Sequence, residues 1–368
     1  MTIQSVTLQH IRNHKSLVVP LVPEITVIAG DNATGKTTII EALALLATGD
    51  SFRASKIEEL LQFGAELGRI KTVLVEVLDT EAGTDELEII VTPGEVQGKK
   101  TAKRLFSVNG VRRRKKDAVG KFYAVVFRPE DMRLIEGSPA RRRQFLDTAL
   151  AALHQDYAYA LKQYDQTLKR RNKLLSQIKD GEQPRTTLAY WSNLLLKHGQ
   201  TLQEHRQAFL QRFTGVEFPI DFTIGYLPSI ISEERLAKYA DKEIAAGYTL
   251  VGPHKDDFEV RLPMQGEKRS ISVYGSRGQQ RLAVLWLKFS ELEYAKEVLL
   301  QAPILLLDDI LSELDDESEQ LALQTAEQQQ TVITTADAQV AELLHEQFPE
   351  ALHYQLTNGQ DTKLSKYA

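Results

Sequence analysis

The stretch Ile25-Thr26-Val27-Ile28-Ala29-Gly30-Asp31-Asn32-Ala33-Thr34-Gly35-Lys36-Thr37 decides the fold. A short apolar strand runs into a glycine turn, and Ile40, Leu43, Ala44 and Ala47 then recur at helical spacing over roughly Thr37 to Ala47. Gly30 and Gly35 occupy the first and sixth places of a phosphate-binding loop, which Lys36-Thr37 closes. Each residue type has a task there. The glycines let the backbone wrap a phosphate, and amides at the start of the helix point at it. Lys36 neutralises β and γ oxygens, and Thr37 can hold a magnesium ion. Gly30, Asp31, Asn32, Ala33, Thr34, Gly35, Lys36, Thr37 and Thr38 are therefore the candidate nucleotide contacts. The four fixed positions arise by chance in about one chain in a hundred of this length.

The second half of such a site is Leu305-Leu306-Leu307-Asp308-Asp309. So apolar a run reads as a strand buried on both faces, and two carboxylates at its end are costly unless something binds them. Asp308 is the candidate magnesium ligand beside Thr37, and Asp309 the candidate proton acceptor for the attacking water. Between the two halves lies Ser276-Arg277-Gly278-Gln279-Gln280-Arg281, ahead of a helix with Leu282, Leu285, Phe289 and Leu292 inward. Ser276, Gly278 and Gln279 match the signature of ABC and SMC ATPases, a second anion-binding helix N-terminus that in those families meets the nucleotide of the opposite subunit. Ser312-Glu313-Leu314-Asp315 resembles their D-loop.

Outward from these motifs, β-rich sequence appears at 72–78, 87–91 and 122–127, and the character changes near Pro139. Leu146, Leu150, Leu153, Tyr157, Leu161, Tyr164, Leu168 and Leu175 form one helical series, and Leu188, Trp191, Leu195, His198, Leu202, His205 and Phe209 a second. The turn Asp180-Gly181-Glu182-Gln183-Pro184 between them predicts an antiparallel hairpin with arms of about 35 residues, roughly 50 Å long. Core packing accounts for its tyrosines, Trp191, His198 and His205. Strand-like sequence from Phe218 to Ile271-Ser272-Val273, a helix from Gln279 to about Lys296, and a last strand at 331–334 complete the reading. The expected architecture is an α/β head at 1–130 and 246–368, interrupted by a helical lobe at 131–245.

At 368 residues the chain has room for such an arrangement, and 42% hydrophobic with 26% charged residues is ordinary for a globular protein. With no cysteine, disulfides, thiol catalysis and cysteine-held zinc are excluded. No run of about 18 apolar residues or basic-then-apolar leader is present, so membrane spanning and export are not expected. The net charge of −5 conceals a segregation. Residues 97–116 hold nine Lys or Arg and no carboxylate, whereas 299–362 hold thirteen carboxylates and no Lys or Arg. Lys99, Lys100, Lys103, Arg104, Arg112, Arg113, Arg114, Lys115 and Lys116 are the candidate DNA contacts, with Val108-Asn109-Gly110-Val111 as a hairpin turn among them. A solvated loop would show the same charges. Arg141, Arg142 and Arg143 either extend that surface or pair with nearby acids. His254, Asp256 and Asp257 either bind a metal or brace the lobe interface or the nucleotide site.

Across almost its whole length the sequence is similar to the RecF family of SMC/ABC-type ATPases. The resemblance rests on Leu8-Gln9-His10-Ile11-Arg12-Asn13, Gly49-Asp50-Ser51-Phe52-Arg53, Phe127-Arg128-Pro129-Glu130-Asp131, Arg142-Arg143-Gln144-Phe145-Leu146-Asp147, Gly252-Pro253-His254-Lys255-Asp256-Asp257 and 307–315. Departures are local: Ile11, Arg128, Lys255 and Arg277 replace residues commoner in the family. The resemblance implies Arg12 and Asn13 at the nucleotide, ATP-driven homodimerisation, DNA binding, a RecR-type partner, help in placing recombinase at gaps, and a cytoplasmic setting. Asp309 where most ABC ATPases carry glutamate suits slow turnover. A transporter ATPase subunit or another SMC-like tether shares the three motifs. The first has no use for the hairpin and basic run, and the second needs longer arms. A GTPase is disfavoured, since no Asn-Lys-x-Asp motif occurs.

Overall fold

A computed structural model describes residues 1–78, 81–264, 266–357 and 363–366. Two compact units are present, one formed by Met1–Asp131 with Ala295–Ala368 and the other by Met132–Tyr294. The chain begins with β1 (Thr2–Ile11), β2 (His14–Pro20), β3 (Ile25–Ala29) and α1 (Lys36–Thr48). It continues through β4 (Gly68–Leu78), β5 (Glu81–Val91), β6 (Glu95–Val96), β7 (Lys99–Lys100), β8 (Arg104–Val108), β9 (Val111–Arg113), α2 (Lys115–Ala118) and β10 (Ala124–Phe127). The second unit holds α3 (Arg133–Glu136), α4 (Pro139–Leu153), α5 (Gln155–Lys179), α6 (Leu188–Arg212), β11 (Thr223–Leu227), α7 (Glu233–Ala246), β12 (Asp257–Met264), β13 (Glu267–Ser270) and α8 (Ile271–Tyr274). Helix α9 (Arg277–Leu299) starts in the second unit and ends in the first. The first unit is completed by β14 (Ile304–Asp308), α10 (Asp316–Ala326), β15 (Thr331–Thr335), α11 (Ala338–Gln347), β16 (Leu352–Thr357) and β17 (Lys363–Lys366).

Two sheets build the first unit. An antiparallel sheet has the order β2-β1-β4-β5-β8-β9. The other has the order β10-β14-β15-β3-β16-β17, parallel except for its last strand. Every residue of β3, β14 and β15 is buried, as expected of parallel strands covered on both faces. Helix α1 packs against strands of both sheets. It therefore has no polar stripe: Ile39, Ile40, Leu43, Leu45 and Leu46 lie all round its circumference and are buried. Each such side chain contributes roughly 1.5–3 kcal/mol by leaving water. The phosphate-loop helix is thus the central core element of the unit.

In the second unit α5 and α6 are neighbours, and their direction follows from two hydrogen bonds. Tyr157 at the start of α5 meets Arg206 near the end of α6, whereas Arg171 later in α5 meets Ser192 early in α6. The helices run antiparallel at 25 residues each, about 38 Å. The arms are shorter than expected because the first helical series breaks at His154, whose φ of −127° and ψ of 112° end α4 and cap α5.

Three further readings are corrected. Ile271-Ser272-Val273 is one helical turn rather than strand, since β13 ends at Ser270 opposite Arg261 and α8 packs on β12. The return to the first unit falls at Ala295 rather than 246, because β12 pairs with β11 and keeps 257–270 in the second unit's sheet. Helix α7 interrupts the stretch read as strand-like from Phe218, capped by the Ser232 hydroxyl and closed by left-handed Gly247, and the strands β16 and β17 follow where no element was expected. Part of the acidic run, 358–362, lies outside the described residues. Among the described residues no helix is long and apolar enough to cross a membrane.

Candidate functional site

The loop after β3 has two glycines that nothing else could replace. A Cβ on Gly30 would lie 2.3 Å from the Leu356 carbonyl oxygen of β16. Gly35 has φ +100°, and a Cβ there would meet His14 Nε2 at 2.3 Å and Asn13 Oδ1 at 2.6 Å. Ala33 also sits at positive φ, 67°. The Thr34 hydroxyl donates to the Asp31 carbonyl at 2.8 Å, and Thr38 N–H to the Gly35 carbonyl at 3.0 Å, so the loop is held by its own groups. Lys36 is buried, with Nζ donating to the carbonyls of Gly30 (2.7 Å) and Asp31 (2.8 Å). Burial pushes its pKa down, and Asp309, Asp308 and Asp31 oppose that shift.

Parallel pairing carries the second half of the site to the same place. Leu305, Leu306 and Leu307 of β14 pair with Thr331, Val332 and Ile333 of β15, and β15 pairs in turn with β3, so three strands end together. Asp308 Oδ1 accepts from the Thr37 hydroxyl at 3.0 Å and the Thr334 hydroxyl at 2.9 Å. Burial raises the Asp308 carboxyl; the Thr334 and Thr37 bonds oppose this, and the Asp309 charge adds to it. Thr37 and Asp308 bring two hard oxygen donors together, a set that suits magnesium. Asp309 lies at φ 54°, held by its N–H on the Thr334 carbonyl (3.0 Å) and by the Ala336 N–H on its Oδ1 (2.8 Å). That backbone region is strained for most residues and tolerated best by Asp and Asn, so the fold fixes where this carboxylate stands.

Arg12 and Asn13 differ in their engagement. Asn13 Nδ2 donates to the Thr34 carbonyl at 3.0 Å and braces the loop from outside. Arg12 instead pairs with Glu41 of α1 through two bonds of 3.1 and 2.8 Å and reaches the Glu59 carbonyl at 2.9 Å. Glu41, Thr334 and fully buried His14, 3.2 Å from the Gly35 carbonyl, were missed from sequence. Only Thr334 left a signal, standing at the C-terminal end of a buried strand next to β14. Arg128, one of the departures, lies over the Phe52 ring at 4.3 Å and bonds Asp131.

In the second unit Ser276 and Gln279 make a reciprocal cap at the start of α9. The Ser276 hydroxyl accepts from Gln279 N–H at 3.2 Å, and Gln279 Oε1 accepts from Ser276 N–H at 2.9 Å. Gly278 follows in the first turn, and Ser276, Arg277, Val273 and Tyr274 are exposed. Asp315 of the D-loop-like segment caps α10, accepting from Ser318 N–H. His254, Asp256 and Asp257 do not converge on a metal: His254 is 2.7 Å from the Tyr164 hydroxyl, Asp256 accepts from Arg206, Tyr226, Gln203 and Ser229, and Asp257 accepts from Arg142. All these partners lie within the second unit, so the three residues brace its interior rather than the nucleotide site. Arg142 and Arg143 pair within it too, Arg143 with the Asp256 carbonyl at 2.8 Å.

The basic run divides in two. Lys103 pairs with Glu58 at 2.9 Å, Arg104 with Asp50 at 2.5 Å, and Lys115 also with Asp50. Burial raises the Asp50 carboxyl, but Lys115 and Arg104 outweigh it and hold it below the usual range. Lys99, Lys100, Arg112, Arg113, Arg114 and Lys116 are exposed and make no ion pair among the described residues. Val108 and Val111 pair across Asn109 (φ 52°) and Gly110 (φ 73°), the two-residue turn expected of Asn-Gly, which puts Arg112 and Arg113 on the edge strand β9.

Known proteins of similar sequence and fold identify the family. The RecF/RecN/SMC N terminal domain family matches residues 2–354. The "DNA replication and repair protein RecF" of Ruminiclostridium cellulolyticum is 32% identical, covering 91% of this chain and 92% of that protein. That of Bacillus thuringiensis strain Al Hakam is 33% identical over 98% of each. Among solved structures, the recombination mediator protein RecF-ATPrS in the RecFOR pathway aligns with a TM-score of 0.83 at 28% identity, covering 100% of this chain and 98% of that one. The RecF-ATP structure aligns at 0.81 and 28%, covering 100% and 97%. An Smc head bound to the C-winged helix domain of ScpA shares the fold at 0.56 and 16% identity, covering 100% and 98%. The chain belongs to the RecF family of SMC-type ATPases.

Proposed function

We propose that this chain is an ATP-dependent DNA-binding protein of recombinational repair and replication. In this reading ATP joins two copies on DNA, slow hydrolysis releases them, and the complex assists recombinase loading at gaps with a RecR-type mediator in the cytoplasm. One observation carries it: Lys36, Thr37, Asp308 and Asp309 converge on one glycine loop in a chain similar to RecF over nearly its full length. Lys36 and the loop amides bind the triphosphate, and Asn13 keeps the loop in shape. A magnesium ion, when bound, would be held by Thr37 and Asp308 and would offset phosphate charge. Asp309 accepts the proton of the attacking water, and its short side chain suits a switch better than a motor. Ser276, Gly278 and Gln279 serve the nucleotide of the opposite copy, a role supported by the exposure of Ser276 beside Val273 and Tyr274. Lys99, Lys100, Arg112, Arg113, Arg114 and Lys116 contact DNA phosphates, with Lys103, Arg104 and Lys115 contributing less because each already has an acidic partner. Replacing Ser276→Arg should abolish ATP-dependent dimers in sedimentation while nucleotide affinity of the monomer stays near wild type. Collapse of monomer affinity instead would assign the signature to its own subunit's nucleotide.

A further inference from the structure

The break at His154 creates a constellation that neither the ATPase chemistry nor DNA contact uses. We propose that His154, Asp156 and His205 form a binding site for a late first-row divalent transition-metal ion, zinc above all, at the foot of the α5–α6 hairpin. One donor atom from each residue lies within 4.8 Å of the others. This is the group of three potential ligands found among the described residues. His154 joins α4 to α5, Asp156 lies in the first turn of α5, and His205 faces them from α6. Zinc holds imidazole nitrogens at about 2.0–2.1 Å in a tetrahedron, so the donors must close by about 1.5 Å, a matter of side-chain rotation.

Helix packing alone explains the group less well. It would account for an Asp156–His205 pair at 2.8 Å, but not for a second imidazole with its centroid 4.8 Å from the first. The Tyr294 hydroxyl, 2.9 Å from His154 Nε2, orients that ring as outer partners do in metal sites. Two imidazoles and one carboxylate, with water to complete four ligands, select zinc, cobalt, nickel or copper over magnesium.

The test uses tag-free, full-length protein without nucleotide, titrated with Co2+ as a spectroscopic stand-in for Zn2+. Saturable binding with the visible absorption of four-coordinate cobalt is expected, displaced by Zn2+ and not by Mg2+. His205→Gln, His154→Gln and Asp156→Asn should each weaken affinity by at least about tenfold, while circular dichroism reports an intact fold. His205→Gln and Asp156→Asn keep the test decisive if His154→Gln, which loses the bond to the Tyr294 hydroxyl, fails to fold. Absence of saturable binding, or binding that survives in the folded variants, overturns the proposal.

Discussion

Replacing Lys36→Met removes the charge of the phosphate loop while keeping a side chain of similar length. The structure sets the size of the effect. Unit charges about 4 Å apart attract by about 4 kcal/mol at an effective dielectric of about 20. Part of this is already spent, because Nζ must give up its bonds of 2.7 and 2.8 Å to the Gly30 and Asp31 carbonyls before it can serve a phosphate. Exchanging those bonds costs roughly 1–2 kcal/mol. The net loss of about 2–3 kcal/mol weakens ATP binding by roughly 30- to 150-fold. Isothermal titration with ATP and Mg2+ measures it, and circular dichroism controls for folding, which should hold because α1 is fixed by Ile39, Ile40, Leu43, Leu45 and Leu46. A folded Met variant that binds within about threefold of wild type would refute the reasoning, since the lysine charge would then be outside the phosphate cradle.

Asp309→Asn keeps an oxygen for the Ala336 amide and loses only proton-accepting power, so hydrolysis should fall by about 10²- to 10⁴-fold with ATP binding retained. Its ATP-bound dimers should outlive those of wild type, and dimers of ordinary lifetime would remove Asp309 from the role. Changing Arg112, Arg113 and Arg114 together to Ala should lower the slope of log affinity against log salt by roughly 2–3, at about 0.7–0.9 per phosphate contact, for every DNA sequence tried. An unaltered slope would move the DNA surface elsewhere.

The nucleotide half of this account was legible in the sequence for a physical reason. A buried strand, a glycine loop, a Lys-Thr pair and a helix are consecutive, so linear spacing fixes their geometry, and Leu305–Asp309 is a buried strand that must end at a charge-binding place. Pairings between distant segments were not legible. Nothing near Arg104 or Lys115 in the chain announces Asp50, so a run that reads as uniformly basic is partly neutralised. Arg12 is similar: the family resemblance puts it at the nucleotide, and nothing near it in the chain announces its pair with Glu41 of α1. Strand-like sequence at 257–264 does not say which sheet it joins, and β11 rather than the parallel sheet claims it. His205 reads as a packing residue by its heptad place, yet it faces two other potential ligands at the break between α4 and α5.

The central claim is that ATP governs the grip on DNA, and DNA affinity with and without ATP tests it most directly. Fluorescence anisotropy of a labelled duplex, read at one salt concentration with no nucleotide, with ADP and with a non-hydrolysable ATP analogue, is the measurement. The account predicts weak binding in the first two conditions and at least about tenfold tighter binding with the analogue, equivalent to about 1.4 kcal/mol of coupling between the nucleotide and DNA sites. Equal affinity in all three conditions would contradict it.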